Sequence, residues 1–433
     1  MGDVNLSSIL MFCGTVLVVV CAVLAAYGFK GRVTTIGVDL GTTFSVVGFT
    51  QNNGEVSIIT DKAGHRLFPS VVSYLPDGEI VAAYEATARL SIDPINTIFN
   101  SKRFIGRYWD DDQIRLYSEN HPFNVIKVNS SITSYGELGF QLSSSATGHT
   151  PSQIAPESVG TSILKHLLDV TAEYLGHKQV NKAIIAVPAK FNADQRQATG
   201  AAYKAAGLKV IRVLEEPTAA AVAYQLHKKK NIQHILVYDF GGGTLDVSIL
   251  YVSKGSVQVY ATDGDETLGG SDFDLCIYDF LIENLKDKVR KTKNIELVLD
   301  SIERNQDSVE KADNACSAPS IRVKAEEVKK ALTHAQKTTF SCQLQNETIE
   351  MEISRTDFEK TCKALFDKGM IPVTRLLDEL EFERNDIDEI VLVGGTTRIP
   401  HVKAMLKEYF GKELNDHIDP DVTVAYGAAS VMD

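Results

Sequence analysis

The sequence predicts an α/β protein made of two similar lobes, and three features carry that prediction. An apolar, β-prone run, Thr35-Ile36-Gly37-Val38, leads into Asp39-Leu40-Gly41, and a related run, Ile235-Leu236-Val237-Tyr238, leads into Asp239-Phe240-Gly241 about 200 residues later. After each glycine the apolar pattern resumes, as Phe44-Ser45-Val46-Val47-Gly48-Phe49 and as Leu245-Asp246-Val247-Ser248-Ile249-Leu250, so each reads as a β-hairpin. Between the hairpins lie stretches of helical spacing, the alternation expected of mixed α/β lobes. Neither turn has the G-x-x-x-x-G-K-[ST] of a Walker loop, and no G-x-G-x-x-G opens a helix.

The elements follow in chain order. Ile9 to Tyr27 is uncharged and mostly apolar, 19 residues, long for a signal-peptide core and close to the minimum for a membrane span. Residues 1–30 are therefore expected to be a signal peptide or a signal anchor. Val23-Leu24-Ala25 and Ala26-Tyr27-Gly28 each satisfy a small-residue cleavage rule. Asp3 precedes the segment and Lys30 and Arg32 follow it, a bias that would leave an uncleaved anchor's main domain cytosolic. The sequons Asn129-Ser-Ser and Asn346-Glu-Thr point the other way, to a lumenal chain, if they are used.

Lobe I is expected over 33–228 and lobe II over 229–433. Ser130 to Ser152, rich in Ser, Gly and Thr, reads as a surface loop or small hairpin. Pro156 to Leu175 has helical periodicity and stops at Gly176. Ala183 to Val187 is a buried-strand run halted by Pro188. Asn192 to Ala206 reads as a helix capped by Gly207, and Glu216-Pro217-Thr218 opens an alanine-rich helix with proline at a tolerated early position. Lys286 to Ile321 is charged and weakly patterned, and helices with loose connections are expected there.

The chain's 433 residues are 44% hydrophobic and 23% charged, enough for a sizeable core. A formal net charge of −12 argues against nonspecific nucleic-acid binding. Cys13 and Cys21 fall in the leader. Cys276, Cys316, Cys342 and Cys362 have neither zinc spacing nor a C-x-x-C pair, and buried free thiols are the expectation for them.

The chemistry gathers at three turns. In Asp39-Leu-Gly41-Thr42-Thr43-Phe44, glycine lets backbone approach a phosphate, amide N–H and threonine hydroxyl groups donate to it, and the aspartate can hold magnesium through water. Asp239-Phe-Gly241-Gly242-Gly243-Thr244-Leu-Asp246 repeats that logic with three glycines, a costly run in a strand turn unless close approach is needed. An ordinary tight hairpin explains either turn alone. The pair together points to two opposed phosphate clamps. The third turn, Gly394-Gly395-Thr396-Thr397-Arg398, follows the apolar strand Ile390-Val-Leu-Val393. It suits a nucleoside, with room for a flat ring and an arginine to stack or pair beside it.

These turns resemble those of the 70-kDa heat-shock chaperone family. The resemblance extends from about Thr35 to Ala429 through Asn96-Thr-Ile-Phe-Asn-Ser-Lys-Arg-Phe-Ile-Gly106, Val187-Pro-Ala-Lys-Phe-Asn192, Glu216-Pro-Thr-Ala-Ala-Ala221, Leu268-Gly-Gly-Ser-Asp-Phe-Asp274 and Val424-Ala-Tyr-Gly-Ala-Ala429. It implies an actin-like ATPase fold, two lobes of two subdomains each around a nucleotide cleft. It implies a slow ATPase that takes ATP or ADP with Mg2+, with K+ as a further candidate ion.

By the same resemblance Lys102 is the catalytic lysine at the γ-phosphate, Asp39 and Asp239 flank hydrated magnesium, and Glu216 couples the site to the neighbouring lobe. Thr42, Thr43 and Gly242 to Thr244 contact phosphate. Glu326, Lys329, Lys330 and Thr333 lie on an adenosine-binding helix, and Gly395 to Arg398 complete its pocket. Phe44 stands where the family usually has tyrosine, and Lys330 where it usually has arginine, so weaker nucleotide binding is expected.

The sequence reaches Asp433 without the family's peptide-binding domain, so peptide clamping is not expected of it. Gln225-Leu-His-Lys228 and His234-Ile-Leu-Val-Tyr-Asp239 are similar to a microsome-associated branch. That implies a peptide-independent ATPase of the endoplasmic reticulum, with co-chaperones or ubiquitin-like proteins as partners and membrane association through the N-terminal segment. A non-enzymatic module gated by nucleotide is the alternative, and a small-molecule kinase a more distant one.

Overall fold

The computed structural model describes residues 6–26, 32–111, 114, 118, 121–143, 152–290, 316–344 and 347–431. The chain divides into two compact units: unit 1 comprises 1–186, 193–214 and 425–433, and unit 2 comprises 187–192 and 215–424.

Ahead of unit 1's sheet, α1 (Leu6–Ala26) is a helix of 21 residues with no charged side chain. Leu10, Phe12 and Leu17 are exposed on it. Taken over the described residues, no helix is long and apolar enough to cross a membrane.

Unit 1 is built on β1 (Thr35–Leu40), β2 (Phe44–Thr50) and β3 (Val56–Ile58), followed by α2 (Pro156–Leu175), β4 (Lys182–Val187), α3 (Ala193–Ala205) and β5 (Lys209–Glu215). The sheet order is β5-β4-β1-β2-β3, with Phe68–Pro69 pairing the start of β2. β1 runs parallel to β4 and antiparallel to β2, so its backbone is paired on both edges, and Ile36 to Val38 and Leu40 are buried. α2 starts with Pro156 in its first turn and ends at Gly176 with φ 70°, as expected from the sequence. The stretch after Ser130 holds the strand Leu138–Gln141, paired with Asn124–Lys127 and with Gln153–Ile154, while 144–151 lies outside the described residues.

The C-terminal helix Thr423–Ser430 explains why the last residues return to unit 1. A Cβ on Gly37 would sit 2.3 Å from the Ala429 nitrogen, and the Thr50 hydroxyl donates to the Ala429 carbonyl at 2.7 Å. The division thus departs from a single cut after Lys228: the chain passes into unit 2 at Glu215, visits it earlier at 187–192, and comes back at Ala425.

Unit 2 contains α4 (Glu216–Ala223), β6 (His234–Phe240), β7 (Leu245–Ser253), β8 (Ser256–Asp265), α5 (Gly270–Arg290), α6 (Ala318–His334), β9 (Lys337–Leu344), β10 (Glu347–Ser354), α7 (Arg355–Thr361), α8 (Lys363–Glu379), β11 (Glu389–Val393) and α9 (Pro400–Phe410). Its main sheet has the order β8-β7-β6-β11. β6 repeats the placement of β1, antiparallel to its hairpin partner β7 and parallel to β11. The weak duplication in sequence is therefore a repeated strand arrangement. The core beside this sheet is aromatic: Phe273 of α5 is buried with its ring 4.8 Å from Phe366 and 5.9 Å from Phe240. Of the weakly patterned stretch, α5 reaches Arg290 and α6 begins at Ala318, while 291–315 lies outside the described residues.

The expectation of four free thiols is overturned. Cys276 is bonded to Cys362 and Cys316 to Cys342. Partners 86 and 26 residues apart meet because α5 packs against α7 and because the approach to α6 packs on β9. Chain spacing carries no trace of either contact.

Candidate functional site

The first turn is a glycine cradle held from below. A Cβ on Gly41 would lie 2.1 Å from the Phe44 carbonyl oxygen, so only glycine closes this turn. Ser70 braces it twice: its N–H donates to the Thr43 carbonyl at 2.9 Å and its hydroxyl to the Gly41 carbonyl at 2.8 Å. Thr42 is half-buried, and Thr43 and Phe44 are exposed. Asp39 is half-buried at the end of β1, beside Val46 and Ala186 of the neighbouring strands.

Lys102 lies on the 3-10 turn Ser101–Arg103, entered through Asn100 at φ 55°. It lines a small cavity of unit 1 together with Gly41, Pro156 and Gly160. The fold therefore brings the lysine to the glycine of the first turn, across about 60 residues of chain.

The second turn is fixed by its carbonyls. The Gly241 carbonyl accepts from Gly270 N–H at 3.0 Å and from the Thr396 hydroxyl at 2.8 Å. The Gly242 carbonyl accepts from Ser271 N–H at 2.8 Å and from the Ser271 hydroxyl at 2.9 Å. In a trans peptide the N–H points opposite to the C=O, so the amides of Gly242 and Gly243 are turned to the other side. Successive amides turned to one side are the element from which anion-binding concavities are made, and Thr244 adds a half-buried residue beside them.

Three carboxylates line one cavity of unit 2. Asp239 of β6 and Asp246 of β7 are cross-strand partners. Both line a cavity with Glu216, the first residue of α4, and with Pro188, Ser248 and Thr262. Hard oxygen donors of this kind suit Mg2+. Among the described residues no group of three His, Cys, Asp or Glu side chains could hold a metal ion directly.

The third turn joins the second. Gly394 has φ 80°, and a Cβ there would be 2.4 Å from the Phe240 carbonyl oxygen, so the strand end packs onto β6. Thr396 and Thr397 are buried: Thr396 donates to Gly241, and Thr397 donates to the Gly394 carbonyl at 2.7 Å. Arg398 is tied to two aspartates. Its Nε and Nη2 donate to Asp421 Oδ2 at 3.0 and 2.7 Å, and Nη2 also reaches Asp419. Its Nε and Nη2 edge is occupied by the two carboxylates.

On α6, Glu326, Lys329, Lys330 and Thr333 share one face by their spacing. Lys330 Nζ and Glu326 Oε1 form an exposed pair at 2.7 Å. Lys329 points elsewhere: its Nζ is 2.7 Å from Asp274 Oδ1 and donates to the Gly270 carbonyl at 3.0 Å. Burial holds the Asp274 carboxyl above its usual value, although Lys329 opposes the shift.

Gly270 is thus the meeting point of the second turn, the third turn and α6. From sequence, Gly270, Asp274 and Lys190 stand only inside family segments, with no role of their own, and Asp421 is in none of them. The signal for Gly270 was the Gly-Gly doublet opening a helix. The family model for Hsp70 protein matches residues 35–433.

Proposed function

The chain belongs to the Hsp70 protein family, and from that premise we propose that it binds ATP with magnesium and hydrolyses it slowly to ADP and phosphate. The family has the actin-like ATPase fold, and its members are chaperone-class ATPases that bind ATP or ADP with Mg2+ and work with co-chaperones. The observation that carries the reading to this chain is the repeated hairpin. In each unit an aspartate ends a strand flanked by one parallel and one antiparallel neighbour, and a glycine turn follows.

The roles are those the family resemblance implies, and the chemistry of each group suits them. The turn amides with Thr42, Thr43 and Thr244 donate to phosphate oxygens, and Lys102 stabilises charge where the γ-phosphate separates. Glu216, Asp239 and Asp246 of unit 2 would hold hydrated magnesium, which when bound neutralises phosphate charge. Gly270, Gly394, Gly395, Arg398 and the α6 face with Glu326, Lys329, Lys330 and Thr333 take the nucleoside. Positioning and electrostatics supply the rate. Lys102→Ala should slow phosphate release by about a hundredfold or more while ATP still binds. Unchanged release would remove the assignment.

We further place the chain in the microsome-associated, peptide-independent branch of the family, on the lumenal side of the endoplasmic reticulum. Two disulfides support an oxidising compartment. Asn129 is exposed in a turn, its Oδ1 accepting the Ser131 N–H at 3.0 Å, so its sequon is accessible. Asn346 lies outside the described residues. In microsomes the chain should resist protease and shift on glycosidase treatment, and Asn129→Gln should reduce the shift. A protease-sensitive, unshifted chain would favour a cytosolic anchor.

A further inference from the structure

We propose that Lys190 is a positioning residue of the carboxylate cavity in unit 2. Its fixed positive charge favours the polyphosphate of a nucleotide and competes with the divalent cation for Asp246. The proposal rests on the ATP reading above.

Lys190 sits in the 187–192 segment that packs with unit 2. Phe191 N–H donates to the Pro188 carbonyl at 3.1 Å, so Pro188 to Phe191 form a turn with Lys190 at its third position. Its Nζ lies 3.6 Å from Asp246 Oδ1. Gly264 of β8 leaves the space for that meeting: a Cβ there would come 3.1 Å from Lys190 Nζ, 3.2 Å from Asp246 Oδ1 and 2.2 Å from the Leu245 carbonyl oxygen. Pro188 and Ala189 of the same turn line the cavity with Glu216, Asp239 and Asp246.

As a surface ion pair this contact would contribute little. Its place gives it a different consequence. Three carboxylates repel an anionic phosphate chain and attract a divalent cation, and an attached ammonium at Asp246 weakens both effects. Metal-free ATP therefore gains from Lys190, and magnesium is opposed by it. Replacing the ammonium with an uncharged chain of similar length should weaken metal-free ATP and strengthen the help that magnesium gives.

The test is calorimetric titration of ATP into the purified protein, in EDTA and in Mg2+. The readout is the ratio of the two dissociation constants, EDTA over Mg2+. Lys190→Met should raise this ratio about tenfold, the scale of one charge a few ångströms away in a partly solvated site. Lys190→Arg should leave it near the wild-type value, and Asp246→Asn should move it the opposite way. A purely structural lysine would change both constants alike, so an unchanged or lowered ratio in Lys190→Met overturns the proposal. Were Lys190→Met unable to fold, Lys190→Gln and Asp246→Asn would carry the same test. Wild-type protein that binds no ATP in either buffer would overturn the ATP reading itself, and this inference with it.

Discussion

Arg398 shows how one residue can be recognised from sequence and still act through unforeseen partners. The Gly-Gly-Thr-Thr-Arg pattern marked it as a nucleoside contact. The structure ties its guanidinium edge to Asp419 and Asp421, and Asp421 also packs at Gly395, where a Cβ would lie 2.8 Å from its Oδ1. The planar fork presents Nε and Nη2 to the two carboxylates in a fixed geometry that a lysine ammonium does not reproduce. Arg398→Lys should therefore weaken ATP binding several-fold in titration, with a loss of stability of about 1 kcal/mol or less because the pair is part-exposed. Unchanged affinity would show that the arginine only staples the turn.

Glu157 is a buried carboxyl in the first turn of α2, accepting a hydrogen bond from the Thr133 hydroxyl. Burial raises its ionisation above the usual 4.5, with the Thr133 bond opposing the shift. The sign follows from proton counts. Below 4.5 the group is protonated in both folded and unfolded chains and costs nothing. As pH rises through 4.5 and then through the higher folded value, only the unfolded chain ionises freely, so stability is lost. Glu157→Gln keeps an acceptor and removes the charge. Melting temperatures from pH 4 to 7 should show the variant gaining on the wild type as pH rises above about 4.5 and then levelling. A gap that does not vary with pH would refute the assignment.

At the scale of elements, much of the fold was legible because its signals are local. Pro156 and Gly176 bracket α2, Pro217 opens α4, and the two Asp-x-Gly turns mark their hairpins by residue type alone. What was not legible depends on contacts across the chain. The Cys276–Cys362 and Cys316–Cys342 bonds follow from how α5 and α6 pack. The return of Thr423–Ser430 to β1 follows from space at Gly37, which in the sequence looks like one more strand residue. The role of Gly270 escaped notice for the same reason, since it is set by Gly241, Thr396 and Lys329 meeting there. Lys102 needed the family resemblance, because a lysine on a short turn has no distinguishing pattern of its own.

For the whole molecule, the two units carry the same device on different surroundings. Each sets an aspartate at a strand end and a glycine turn directly after it. Unit 1 adds Lys102 at Gly41, and unit 2 adds the carboxylate cavity and the nucleoside elements. Under the proposed function the turns of each unit donate to phosphates, the carboxylates of unit 2 serve hydrated magnesium, and the lysine of unit 1 meets the charge that develops. The most direct measurement is phosphate release from purified protein given stoichiometric ATP and Mg2+, beside the Asp239→Asn variant. The wild type should convert the bound ATP to ADP and phosphate, and the variant should do so about a hundredfold more slowly or worse. Equal rates in the two proteins, or ATP bound by the wild type and never hydrolysed, would contradict the ATPase assignment.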